Sequence, residues 1–153
     1  MNIVIAGGKS KADFLIEALL KKKHKLIVLN SDEDYCEYLT QTHKIPIFFG
    51  EPTKIYNLED AGVRGADIII ALMPRDSDNL AICQAGKRLF DVKRAVAIVT
   101  NPMNVEIFKK LGVNTAISAT YYLANVVAEA STADNFLKGG LDEYVIGGQY
   151  EQL

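Results

Sequence analysis

The chain has 153 residues, of which 49% are apolar and 24% charged, with a formal net charge of −2. That is the size and balance of one soluble folded domain, with charges of both signs interspersed and no footprint for nucleic acid or an anionic membrane. The longest purely apolar run, Ile68 to Met73, is far short of the roughly 20 residues that cross a bilayer, so no direct membrane insertion is expected. No secretory signal precedes Ile3-Val4-Ile5, which predicts a cytoplasmic location.

Taken in chain order, short β-branched runs alternate with segments of helical period. The strand runs are Ile3 to Ala6, Leu26 to Leu29, Pro46 to Phe49, Ile68 to Leu72, Ala95 to Val99 and Thr115 to Ile117. They are continuous rather than alternating, the pattern of parallel strands covered on both faces. Helical stripes lie between or after them: Phe14, Leu15, Ala18 and Leu19; Ile82, Ala85 and Leu89; Ile107, Phe108 and Leu111; Leu123, Val126, Val127 and Ala130. Ser31 before an acidic run and Asn101-Pro102 read as helix starts, and Lys109-Lys110 followed by Gly112 as a helix stop. The alternation specifies an α/β fold, a Rossmann-like doubly wound parallel sheet of about six strands with helices on both faces. The folded domain is expected over residues 1–131. Residues 132–153, with Gly139-Gly140 and Gly147-Gly148, are expected to form an extended tail or linker.

Cys36 and Cys83 lack CxxC spacing and a nearby histidine cluster, so they read as a reduced, buried pair and no metal site is expected. The basic run Lys21-Lys22-Lys23-His24-Lys25 sits where a helix ends, and its charge favours the negative end of the helix dipole.

The most suggestive chemistry lies after the first run. Gly8-Lys9-Ser10 matches the end of a P-loop, but the glycine required five residues earlier is replaced by Ile3, inside a strand. The alternative aligns Gly7 to Ala12 with the GxGxxG/A turn of dinucleotide-binding folds. Lys9 then occupies the second glycine position, and Asn30 stands where a ribose-binding carboxylate is usual. Lys9 and Lys11 add positive charge at a helix start that already favours anions.

Three further stretches carry a family resemblance: Gly50-Glu51-Pro52-Thr53, Asp76-Ser77-Asp78-Asn79 and Leu111-Gly112-Val113. In this order and spacing the chain resembles the N-terminal regulatory domain of Trk/Ktr-type potassium uptake systems, also called RCK or KTN. The resemblance implies a cytosolic subunit without enzymatic activity that binds a nucleotide, NAD(H) or ATP, ADP or AMP. It further implies a homodimer or higher ring that gates a membrane potassium channel subunit, peripheral to the inner face of the plasma membrane. By the same resemblance Gly7, Gly8, Lys9 and Ser10 face the phosphates, Asn30 and Ser31 the ribose, Gly50 and Glu51 the adenine side, and Leu72 and Met73 the opposite wall. Pro52 removes one backbone donor from that third turn.

Two other readings stay open. One is a nucleotide-free member that acts only in assembly. The other is an NAD(P)-dependent oxidoreductase, for which the sequence supplies no proton-transfer set: His24 and His43 fall at helix ends, and Tyr121 has Asn125 four residues on rather than lysine.

Overall fold

A computed structural model describes residues 1–132. The chain divides into two units, 1–118 and 119–153, and the expected tail falls almost wholly outside the described residues. The first unit contains β1 (Asn2–Ala6), α1 (Ser10–Lys21), β2 (Lys25–Asn30), α2 (Glu33–Thr42), β3 (Ile47–Phe49), α3 (Ile55–Asp60), β4 (Ile68–Ala71), α4 (Asp76–Leu89), β5 (Arg94–Val99), α5 (Asn104–Lys110) and β6 (Thr115–Ser118). The second unit contributes α6 (Ala119–Thr132).

The six strands pair in the order β3-β2-β1-β4-β5-β6, every pair parallel. This is the doubly wound order in which the chain reverses direction between β1 and β4, so a crevice opens at their carboxyl ends. Ala6 pairs with Leu29 on one side and Ala71 on the other, which places the three strand ends level around that crevice.

Two apolar layers sandwich the sheet. One gathers Val4, Leu29, Ile69, Ile82, Phe90, Val99 and Phe108; the other gathers Ile3, Ile5, Ala12, Ile16, Val28 and Leu39. Strand residues therefore contribute alternately to both cores, which is why their sequence runs show no polar alternation.

Helix orientation departs from the expected stripes. On α1 the buried residues are Ala12 and Ile16, while Phe14 is 74% exposed. The close seat of Ala12 beside Gly8 rotates the helix so that the phenyl ring points outward. On α4 the buried set is Asn79, Ile82, Cys83 and Gly86, with Leu89 exposed; on α5 only Phe108 is buried, with Ile107 and Leu111 exposed. No residue of α6 is buried.

The helix caps also shift. Asp32, not Ser31, is the N-cap of α2, its carboxylate accepting from the amide of Tyr35 at 3.0 Å. Asn101 turns the chain by accepting from the Met103 amide, and α5 begins only at Asn104. Gly112 ends that helix with φ 91°, the left-handed conformation expected of a glycine stop.

Candidate functional site

The crevice beyond β1 and β4 is a cleft of about 690 Å³, within the range of pockets that hold small ligands. Its floor is the turn after β1. Gly7 and Gly8 both have positive φ, 79° and 86°, and neither has room for a side chain. A Cβ on Gly7 would run into Met73 Sδ, and one on Gly8 would press on Ala12 at 3.0 Å and Leu72 at 3.2 Å. These two glycines let the backbone turn tightly between β1 and the β4 end.

Lys9 then resolves the question posed by its position. It takes φ −132° and ψ −113° as the N-cap residue of α1. Its carbonyl accepts the amides of Ala12 and Asp13 at 2.9 and 3.3 Å, and the hydroxyl of Tyr35 at 2.6 Å. Burial pushes the Tyr35 phenol upward, the charge of Asp13 adding to it, so the hydroxyl remains a donor. The Ser10 and Lys11 amides, the first two of the helix, precede any intrahelical acceptor, which suits an anion at this end.

Across the cleft, Asn30 is buried at the end of β2 and ties two loops together. Its side-chain nitrogen donates to the Gly8 carbonyl at 2.7 Å, and its side-chain oxygen accepts the Asp32 amide at 2.9 Å. Asp32 completes the rim: its free oxygen meets Lys9 Nζ at 2.6 Å. The Lys9 hydrogen bond, together with the Tyr35 amide, holds the Asp32 carboxyl below the usual range; the same pairing raises Lys9.

The third wall is Leu72, Met73 and Pro74, with Ile98 and Thr100 behind. It is braced by Asn79, which is 1% exposed. Asn79 accepts the Met73 amide at 2.7 Å and donates to the Met73 and Ile98 carbonyls at 2.9 and 2.8 Å. Asp76 braces the outer edge by accepting the amides of Thr100 and Asn101 and the side chain of Asn104. Asp78 pairs with Arg75 through two nitrogens at 2.9 and 3.1 Å. The acidic opening of α4 is thus engaged in bracing.

Of the expected site residues, Gly7, Gly8, Lys9, Ser10, Asn30, Ser31, Leu72 and Met73 line one cleft. Gly50 and Glu51 lie beside it, outside the lining: the Gly50 amide donates to the Asn30 carbonyl at 2.8 Å, and Glu51 accepts from Thr53. Lys11, Asp32, Pro74, Ile98 and Thr100 line the cleft in addition. The Asp32 contribution is hidden in sequence because the same residue caps α2. His24 and His43 do not line it.

A glycine turn from β1 into a helix, level with the end of β4 in this strand order, defines a Rossmann-like domain, with its crevice where folds of this class hold their ligands. The match is closer than fold: residues 3–119 fit the family model described as TrkA-N domain, and the chain belongs to that family. It is 28% identical over 150 residues to the Trk system potassium uptake protein TrkA homolog of Methanothermobacter thermautotrophicus, covering 95% of this chain and 69% of that protein. It is 27% identical over 101 residues to the Trk system potassium uptake protein TrkA of Haemophilus influenzae, covering 66% of this chain and 22% of that protein.

Among solved structures it is similar to GsuK bound to ADP, with TM-score 0.76 and 25% identity over 86% of this chain and 34% of that one. The GsuK channel bound to NAD gives TM-score 0.73 and 25% identity, covering 82% of this chain and 23% of that one. The chain therefore spans a variable share of its relatives, from about two thirds down to under a quarter.

Proposed function

We propose that this chain is a nucleotide-sensing regulatory domain that gates a Trk/Ktr-type potassium transporter, doing no chemistry on the nucleotide. It would act on the cytoplasmic side, docked to a membrane channel subunit. The observation that carries this reading is the cleft itself: two mandatory glycines, a helix start without a side-chain cap and two lysines at the β1/β4 switch point. Support comes from GsuK, which has been seen with NAD and with ADP, and from relatives named as potassium uptake proteins.

In this reading phosphates sit on Gly7, Gly8, Lys9 and Ser10, and the ribose lies beside Asn30 and Ser31. The adenine extends toward Gly50 and Glu51, with Leu72 and Met73 as the facing wall. A ligand there touches loops from β1, β2 and β4 together. Exchanging one nucleotide for another can bias their arrangement, and so that of paired domains, in proportion to the difference in affinity. Assembly as a homodimer or larger ring would use faces such as α5, where Met103, Ile107 and Leu111 are 78%, 50% and 41% exposed at successive turns.

A second reading, assembly without nucleotide, draws on one observation: the Asn30 side chain is already committed to Gly8 and Asp32. Thermal unfolding with NAD, NADH, ATP, ADP or AMP separates the two. Ligand at 100 times its dissociation constant adds about 2.7 kcal/mol, a rise of several degrees for this size. A selective rise is the expected result. No rise with any of the five favours the assembly reading.

A further inference from the structure

Resting on the nucleotide-sensing reading, we infer that Lys9 sets ligand choice, selecting adenosine diphosphate over a nicotinamide dinucleotide by trading its Asp32 partner for a terminal phosphate. The backbone of Lys9 is fixed by three contacts: its carbonyl, at the N-cap of α1, takes Ala12, Asp13 and Tyr35. What remains free is the side chain, 74% exposed, reaching across the mouth of the cleft to Asp32 at 2.6 Å. The ion pair links the phosphate end of the cleft, at Gly7 to Lys11, with the ribose end, at Asn30 to Asp32.

A ligand entering along this line must divide that pair or pass over it. Two consequences follow from the chemistry of the phosphates. A terminal phosphate carries close to two negative charges near neutral pH, whereas each phosphate of a bridging pyrophosphate carries one. The terminal phosphate is the stronger competitor with the Asp32 carboxylate for the ammonium. A bridging pyrophosphate also has to cross the loop where the second glycine usually clears the way, and here the Lys9 side chain stands in that path.

Asp32 does not lose its role when released. Its other oxygen still caps α2 through Tyr35, and the freed oxygen faces the rim where a ribose hydroxyl can donate.

Calorimetric titration of the purified full chain with ADP and with NAD tests this, using wild type, Lys9→Gly and Lys9→Arg. Glycine is a competent N-cap, and thermal unfolding checks that each variant is folded; Lys9→Gln replaces Lys9→Gly should the latter not fold. The wild type is expected to prefer ADP. Lys9→Gly should weaken ADP binding by about fivefold or more, as loss of an exposed charge-assisted hydrogen bond requires, and should strengthen NAD binding. Lys9→Arg should keep the preference for ADP. A wild type that binds NAD more tightly, or a Lys9→Gly variant with an unchanged ADP-to-NAD ratio, overturns the assignment while leaving nucleotide sensing intact. A wild type that binds neither overturns both.

Discussion

Gly7 is constrained twice, by a φ of 79° that L residues with a side chain adopt at a cost, and by Met73 pressed against the space a Cβ would fill. Met73 is flexible and can move aside, but it forms a wall of the cleft, so its displacement deforms the site. Gly7→Ala is expected to lose about 1–3 kcal/mol in urea unfolding and to weaken whatever nucleotide stabilises the wild type. An unchanged midpoint would mean that the turn relaxes without strain. At this scale the sequence was legible where geometry demands one residue type: the two glycines follow a strand and precede a helix, and only that context makes them informative. It was not legible at Asn79 or Asp32. Asn79 looks like a helix-opening polar residue that could reach a ligand, yet its three hydrogen bonds hold Met73 and Ile98. Asp32 reads as a capping acid, which it is; that its second oxygen closes the cleft depends on Lys9 arriving from a loop more than twenty residues away.

Between elements, Asp76 at the start of α4 is the tie that fixes the β5–α5 turn. Burial disfavours its charge, but the amides of Thr100 and Asn101 and the Asn104 side chain outweigh that and hold the carboxyl below its ordinary range. A carboxyl with a folded pKa below its unfolded one adds stability that is present above the unfolded value and lost as pH falls through the folded value. Asp76→Asn keeps the shape but not the charge, and is expected to cost about 1–2 kcal/mol at neutral pH. The difference from wild type should shrink as pH drops below the usual carboxylate range. Urea midpoints across that range check the sign, and a gap that widens on acidification would contradict it. The strands were readable because all six are apolar on both faces, which leaves few alternatives at that length. Helix faces were less so. Each helix carries more apolar residues than it buries, and the choice between Phe14 and Ile16 is made by Ala12 packing on the glycine turn.

For the whole molecule, the strand order gathers residues from positions 7 to 100 around one crevice, an arrangement that no local stretch contains. It also leaves an apolar line on the outside of the first unit. Met103, Ile107 and Leu111 are spaced four apart, on one face of α5 and its two cap residues, while Phe108 and, partly, Val105 turn into the core. A face of this kind serves the assembly proposed above more readily than it serves the fold. Ile107→Glu therefore separates the two roles. With half of the side chain already exposed, the substitution should change unfolding stability by no more than about 0.5 kcal/mol, as for surface positions generally. Within an apolar contact between copies it would bury an unpaired carboxylate, a change large enough to dissociate the contact. Sedimentation velocity of wild type and Ile107→Glu at matched concentration should show the variant shifted toward the mass of a single chain. The same distribution for both proteins, at a concentration where the wild type is associated, would remove α5 from the interface and leave its exposed line without an assembly role.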